Sequence, residues 1–397
     1  MNEPFVILGN PENRRVLQFS DAYRRLRRND PEVVAWRDFL RCPDVLTERL
    51  VPGCSFRIES PGEEFEVERA LLLKGYVERA DEPWEFLTPT QVQALEFARG
   101  RILPLRQWYL GWASTLNILQ ALLQSVSQVR LMNPPGEISA MFDKARCHEL
   151  LAQGNVSTPR FLGVPHSFEE LMGFVERHNC RRLFLKPCHS SSASGVLALE
   201  LGTRSSLAHT SVEMVRDRGE LRLFNSLRLR RYTSLREIRE LVDLICKQRS
   251  VAEAWFPKAG FDGQRFDLRV LVIKGKAAHT VVRQSAGPIT NLHLGNRRGD
   301  SARLRAIMGD AKWRDAMNTC EQAAACFPGA LYVAIDLLVA PGFSRFAVAE
   351  VNAFGDLLPN LLHDGESTYG AELRAFFTEP DSGNQIAADS SLGRAGV

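Results

Sequence analysis

The sequence predicts an α/β protein of two or three lobes. Its 397 residues are more than one hydrophobic core usually organises. Short β-rich runs alternate with helical patterns over most of the length. The most regular stretch lies near the carboxy terminus, where LYVAIDLLV at 331–339 turns at Pro341-Gly342 and returns as RFAVAEVN at 345–352.

FVIL at 5–8 reads as a strand. Asn10 and Pro11 then suit a helix start, with Pro at the first helical position and the helix running to about Arg28. Pro-rich punctuation separates modest elements as far as Pro104, and a longer helical pattern covers about 108–126. Residues 1–140 form one irregular α/β lobe in this reading. A second organisation begins near NPPG at 133–136: Lys144 leads a helix that ends at Gly154, and an extended segment follows. RLFLKP at 182–187, the small-residue loop at 189–195 and VLALE at 196–200 make a hairpin. SVAEAWF at 250–256, FDLRVLVI at 266–273 and AAHTVVR at 277–283 are β-rich. The last stretch, 378–397, has no apolar period and is expected to be a disordered tail.

Composition limits the function classes. A formal net charge of +3 gives no whole-protein field for a polyanion. The basic run RLFNSLRLRR at 222–231 alternates with Leu, as an amphipathic element with a solvated Arg face does, which argues against a nucleic-acid partner. No apolar run approaches the roughly 20 residues of a membrane span, and 5–8 is too short for a signal-peptide core. The eight Cys lack metal-ligand spacing and read as reduced thiols of a cytoplasmic chain. Basic residues are nearly all Arg, so each Lys inside a candidate site carries more information.

Three groupings carry chemistry. Asp336 interrupts an apolar strand, where an unpaired carboxylate is costly, and Glu350 and Asn352, two apart, emerge on one face of the returning strand. Three oxygen donors suit Mg2+, although alone they equally describe a solvated sheet face with one hydrogen-bonded Asp. Lys186 ends a strand just before the loop Ser190, Ser191, Ser192, Ala193, Ser194, Gly195, whose small residues let backbone amides approach phosphate; a plain surface turn has the same composition. Asp267 and Arg269 share a strand face and Arg283 lies on the next strand, arranged for a phosphate site or for ordinary cross-strand ion pairing. Asn291, in NLHLG at 291–295, is a further candidate for phosphate or the metal surroundings.

Their order resembles the ATP-grasp superfamily over roughly 133–365, most of all the branch of glutathione synthetase and the RimK-type glutamate ligases. The resemblance implies an ATP-grasp fold, with two α+β subdomains clasping ATP behind the amino-terminal lobe. It divides the chain into 1–140, a small subdomain at 141–255, a large subdomain with the metal site at 256–377, and the tail at 378–397. It implies that Lys144 and Lys186 bind nucleotide, that 190–195 covers the phosphates, and that Glu253 with Trp255 holds adenine and ribose. Asp267, Arg269 and Arg283 would serve the phosphoryl-transfer site, with Arg283, Lys186 and Arg269 catalytic. Asp336, Glu350 and Asn352 would hold Mg2+, with Mn2+ as the alternative. Two departures stand out: Cys188-His189 where the family more often has Gly, and Ile289 where the RimK-like branch tends to carry Arg.

The activity so implied is ATP-dependent carboxylate–amine ligation through an acyl phosphate, releasing ADP and phosphate. The carboxylate and amine substrates, whether small molecule, peptide or protein tail, are not readable from the residues. An ATP-grasp phosphotransferase and a nucleotide-binding protein without ligase activity are the rival readings. A homodimer is the default for a symmetric assembly.

Overall fold

Phe5, Val6, Ile7 and Leu8 are buried without alternation, the mark of a strand covered on both faces in a parallel sheet. In the computed structural model, which describes residues 4–217 and 219–378, this run is β1 (Phe5–Leu8). It lies between β2 (Glu32–Val34) and β3 (Ser55–Ile58), and β4 (Arg130–Leu131) extends the sheet in the order β2-β1-β3-β4. All pairings in this sheet are parallel. The first helix is Arg14–Arg27, and its cap is Asn13, whose side chain accepts from Arg15 N–H. The helix therefore starts later than the Asn10-Pro11 signal suggests. Pro11 instead occupies the turn before it, because the Asn13 amide satisfies an orphan N–H that Pro cannot.

The long helix expected at 108–126 runs Leu105–Gln124 and crosses the helix Phe65–Val77. A Cβ on Gly75 would stand 1.8 Å from the Gln107 carbonyl oxygen, and one on Gly111 would stand 2.0 Å from that of Leu71. The two backbones touch because both contact residues lack a side chain.

The second sheet comprises β5 (Phe161–Gly163), β6 (Arg182–Pro187), β7 (Leu197–Leu201), β8 (Ser206–Asp217), β9 (Glu220–Tyr232) and β10 (Ser250–Ala254), in the order β5-β10-β6-β7-β8-β9. The third contains β11 (Gly260–Phe261), β12 (Gln264–Ile273), β13 (Lys276–Ser285), β14 (Arg297–Gly299), β15 (Tyr332–Val339) and β16 (Phe346–Asn352). Its order is β14-β13-β12-β15-β16, with β11 on β12. Both sheets are antiparallel. The Arg-rich run at 222–231 is part of β9. Of the tail expected at 378–397, all but Thr378 lies outside the described residues. No helix among the described residues is long and apolar enough to cross a membrane.

The first and third sheets are joined around one buried cation. Arg57 of β3 has no solvent exposure and donates to Glu59, Asp356 and Glu372. Arg15 reaches the other oxygen of Asp356 at 2.7 Å. The rings of Phe19, Tyr332 and Tyr369 surround the Arg57 guanidinium at 4.1, 4.8 and 5.3 Å. Burial, then the nearby Asp356 charge, push the Glu372 carboxyl well above the usual carboxylate range. Removing one member of a buried ion cluster strands the others. Arg57→Met is expected to cost about 3–5 kcal/mol in chemical denaturation. Glu372→Gln, which keeps the side chain's shape and removes its titration, is expected to cost less than about 1 kcal/mol.

Candidate active site between the two antiparallel sheets

Sheet register sets the site. Asp267 of β12 lies directly opposite Arg283 of β13. Arg269 lies opposite Asp336 of β15, and Asp336 opposite Glu350 of β16. Four adjacent strands therefore bring charges of both signs into one row. Arg283 Nε donates to Asp267 Oδ1 at 2.7 Å, and its Nη2 is 3.1 Å from Asp336 Oδ2. Arg269 grips both oxygens of Asp336. Asp267 and Arg269 do not pair with each other; each is paired across strands. Burial opposes ionisation of Asp336, but Arg269 and Arg283 outweigh it and hold the carboxyl below its ordinary range. Asp267 is held down likewise, by Arg283 and Lys258 against burial.

The facing sheet contributes a second set. Lys186 on β6 and Glu253 on β10 are diagonal neighbours joined at 2.5 Å, and His148 Nε2 lies 3.0 Å from the other Glu253 oxygen. Burial alone would raise Glu253, yet Lys186 and His148 hold it down to about 2. Lys144 opens the helix Lys144–Gln153 behind the Asp143 cap. Its Nζ donates to the Ser190 carbonyl at 2.6 Å and lies 3.0 Å from Glu350, tying helix, loop and third sheet together.

Between the sheets lies an open cleft, whose empty space together with the solvent at its mouth is about 770 Å3. Lys144, Lys186, Glu253, Asp267, Arg283, Asn291, Asp336 and Glu350 line it. Arg269 stands behind Asp336, outside the lining. From the loop, Ser190 and Ala193 reach the cleft, whereas Ser191 and Ser192 are exposed and Ser194 is half-buried. Ser192, Ala193 and Gly195 hold left-handed backbone, and a Cβ on Gly195 would stand 2.6 Å from the Pro187 ring. Trp255 is not a lining residue; its indole packs on Phe184 and under Arg182, and Ala254 and Phe256 on either side line the cleft instead. Asn291 reaches the cleft, but its side-chain oxygen caps the following turn by accepting from His293 N–H.

Lys258, His148 and Thr290 did not emerge as site residues from sequence reading. Lys258 is half-buried and donates to Asp267, the Pro288 carbonyl and Thr290; desolvation of its ammonium lowers its pKa. Its only signal was scarcity of Lys, with Phe256-Pro257 before it. His148 follows Lys144 by four residues, so the two share a helical face.

Among the described residues, no three His, Cys, Asp or Glu side chains are grouped as a metal site. The oxygen donors expected for Mg2+ are two carboxylates and one amide. Asp336 and Glu350 face each other across a strand pair, and Asn352 Nδ2 donates to the Ala334 carbonyl, which leaves the amide oxygen as a donor. This hard-oxygen set fits Mg2+.

Cys188-His189 has a packing explanation. His189 stacks on Tyr109 at 3.9 Å between ring centroids and Nδ1 meets the Phe142 carbonyl at 3.2 Å. Arg106 and Arg249 both approach Nε2 at 3.3 Å. This geometry requires a neutral ring with its proton on Nδ1. It anchors the base of the loop to the amino-terminal lobe. Cys188 is fully buried beside it, and burial pushes its thiol up to about 12.

No family model matches the sequence, and no curated protein is significantly similar to it. Solved structures do match in fold. D-cycloserine synthetase DcsG superposes with a TM-score of 0.51 at 14% identity, covering 93% of this chain and 98% of that one. The ADP complex of purK, N5-carboxyaminoimidazole ribonucleotide synthetase, gives 0.51 at 11% identity over 94% and 76%. The ATP-grasp ligase PsnB, complexed with minimal precursor, Mg and ADP, gives 0.48 at 13% over 94% and 98%. The architecture is the ATP-grasp fold.

His189 makes stability depend on pH. Burial, with Arg106 and Arg249, pulls its pKa from 6.5 to about 3. Below about pH 6.5 the unfolded chain binds a proton that the folded chain refuses, so stability is complete above that pH and falls toward pH 3. The loss from this group is up to about 1.4 kcal/mol per pH unit. Urea midpoints between pH 7.5 and 5.5 should fall more steeply for the wild type than for His189→Gln.

Proposed function

We propose that the chain is an ATP- and Mg2+-dependent carboxylate–amine ligase of the RimK-like or glutathione synthetase-like kind. The observation that carries this reading is the pairing of every cleft-facing carboxylate with a Lys or Arg at direct ion-pair distance. Lys144, Lys186, Lys258, Arg269 and Arg283 are balanced against Glu253, Asp267, Asp336 and Glu350. Such cations are pre-positioned and ready to exchange partners. A triphosphate competes with the carboxylates for Lys144, Lys186 and Arg283, which turn from Glu350, Glu253 and Asp336 toward phosphate oxygens. In this reading 141–255 and 256–377 are the subdomains that clasp the nucleotide.

Asp336, Glu350 and Asn352 would hold Mg2+, or Mn2+, and the ion when bound supplies positive charge to the triphosphate and to the released carboxylates. Arg283 stabilises the charge that develops as the substrate carboxylate attacks the γ-phosphorus, with Lys186 at the bridging oxygens. Arg269, behind the lining, keeps Asp336 ionised and oriented. The attack forms the acyl C–O–P linkage and breaks the bond to ADP. A neutral amine then attacks the acyl carbon, phosphate leaves and the amine loses one proton. Lys144, through Ser190, draws the 190–195 loop toward the phosphates and keeps water from the acyl phosphate.

Titration calorimetry should show Mg2+-dependent ATP binding to the wild type and none to Asp336→Ala/Glu350→Ala. In an acceptor screen, products should be ADP and phosphate. AMP and pyrophosphate would reject the mechanism, and a stable phosphate ester would indicate a phosphotransferase. Arg283→Lys keeps the charge and loses the fork; its kcat should fall by about 100-fold or more.

A further inference from the structure

The strand β9 contains a bulge that reaches from the second sheet to the third. Val212 pairs with Asn225, yet Thr210, two residues earlier on β8, pairs with Arg230. Residues 226–229 therefore stand opposite the single residue Ser211, so β9 carries three extra residues here, more than the single residue of an ordinary bulge. Ser226 Oγ accepts from Arg228 N–H inside the excursion, which turns the backbone there. Leu227 ends up 67% exposed, while Leu229 points inward.

Leu229 packs against a small apolar cluster of Val196, Ala198, Ile289 and Leu294, beside Phe184 and Ala193. Val196 and Ala198 belong to the second sheet and its loop, whereas Ile289 and Leu294 belong to the segment between β13 and β14 of the third. A Cβ on Gly287 would stand 3.0 Å from Leu229 Cδ1, so that segment carries no side chain at this point and Leu229 fits against its backbone. Phe184, Ala193, Val196 and Ile289 also line the cleft, and Leu229 does not. On the cleft side, Lys258 ties the same segment to β12 through Asp267, the Pro288 carbonyl and Thr290. The segment is thus held from within by an ammonium and from outside by one leucine.

We infer that Leu229 is a positioning residue: carried on the β9 bulge, it latches the 286–294 segment over the cleft and so keeps Ile289 and Ala193 closed on bound nucleotide. The role rests on the ATP-dependent reading above. The Leu229 contact itself is apolar, so it forms and breaks without exchanging a hydrogen-bond partner. Ile289, at the position where the RimK-like branch tends to carry Arg, supplies the apolar surface the latch needs.

The test uses the full chain with Leu229→Ala, Leu229→Asp and the conservative Leu229→Met. Hydrogen exchange of the 286–294 amides in the free protein is measured together with dissociation of a fluorescent methylanthraniloyl-ATP in Mg2+ by stopped flow. Leu229→Asp should speed exchange in 286–294 while leaving the β12 amides protected. It should also raise the nucleotide dissociation rate by about tenfold, the equivalent of about 1.4 kcal/mol. Leu229→Ala should lie between, and Leu229→Met should match the wild type in both. Unchanged exchange or an unchanged dissociation rate in Leu229→Asp overturns the latch. Faster exchange with no methylanthraniloyl-ATP binding to the wild type would sink the ATP-dependent reading, and with it any role of Leu229 in closing over nucleotide.

Discussion

A buried carboxylate must be paired, and in this protein that requirement organises the cleft. Asp267 and Asp336 sit on central strands of an antiparallel sheet, where neither can remain ionised without a cation at hydrogen-bonding distance. The register supplies one in each case: Arg283 opposite Asp267, and Arg269 opposite Asp336. A slip of one residue would send these side chains to the other face and leave the charges unpaired. The charge row therefore fixes the alignment of β13, β12, β15 and β16, and that alignment holds the cleft floor in place. Lys258 extends the constraint to the segment after β13 through the same Asp267.

Much of this was legible in the sequence, for reasons that differ by residue. Asp336 stood out because an acid in YVAIDLLV contradicts its surroundings. Glu350 and Asn352 followed from the two-residue period of a strand, Lys186 from its place just before a small-residue loop, and Lys144 from the resemblance to the ATP-grasp superfamily. The ATP-grasp architecture was readable from the order of these pieces. Lys258 and His148 were not, because their significance comes from partners at Asp267, Thr290 and Glu253 that only folding brings near. Trp255 illustrates the opposite case. It looked like a site residue by adjacency to Glu253, yet its indole belongs to the packing behind Phe184. The start of the first helix was displaced for a local reason: Asn-Pro and Asn-Arg both resemble caps, and Asn13 is the one whose side chain meets a free N–H.

The amino-terminal lobe is tied to the cleft at two points that the sequence did not advertise. One is Arg57, whose partner Asp356 lies four residues beyond Asn352 in the chain. The other is His189, at the base of the loop and stacked on Tyr109 of the long helix. Both ties use a polar group withdrawn from water and satisfied on several sides, so each is specific in direction and costly to break. The lobe that carries no recognisable motif is thereby linked to the residues after the acidic strand pair and to those before the 190–195 loop.

Sulfur close to a reactive cleft usually invites attack by electrophiles, because the thiolate is the reacting species. Cys188 adjoins the 190–195 loop, and burial pushes its thiol up to about 12, which disfavours the thiolate at neutral pH. Cys147, one helical turn from Lys144, is raised by burial as well. Both of these sulfurs are buried, whereas Cys42 is exposed. Cys42 therefore offers a handle on the molecule's surface, apart from the two sulfurs withdrawn beside the cleft.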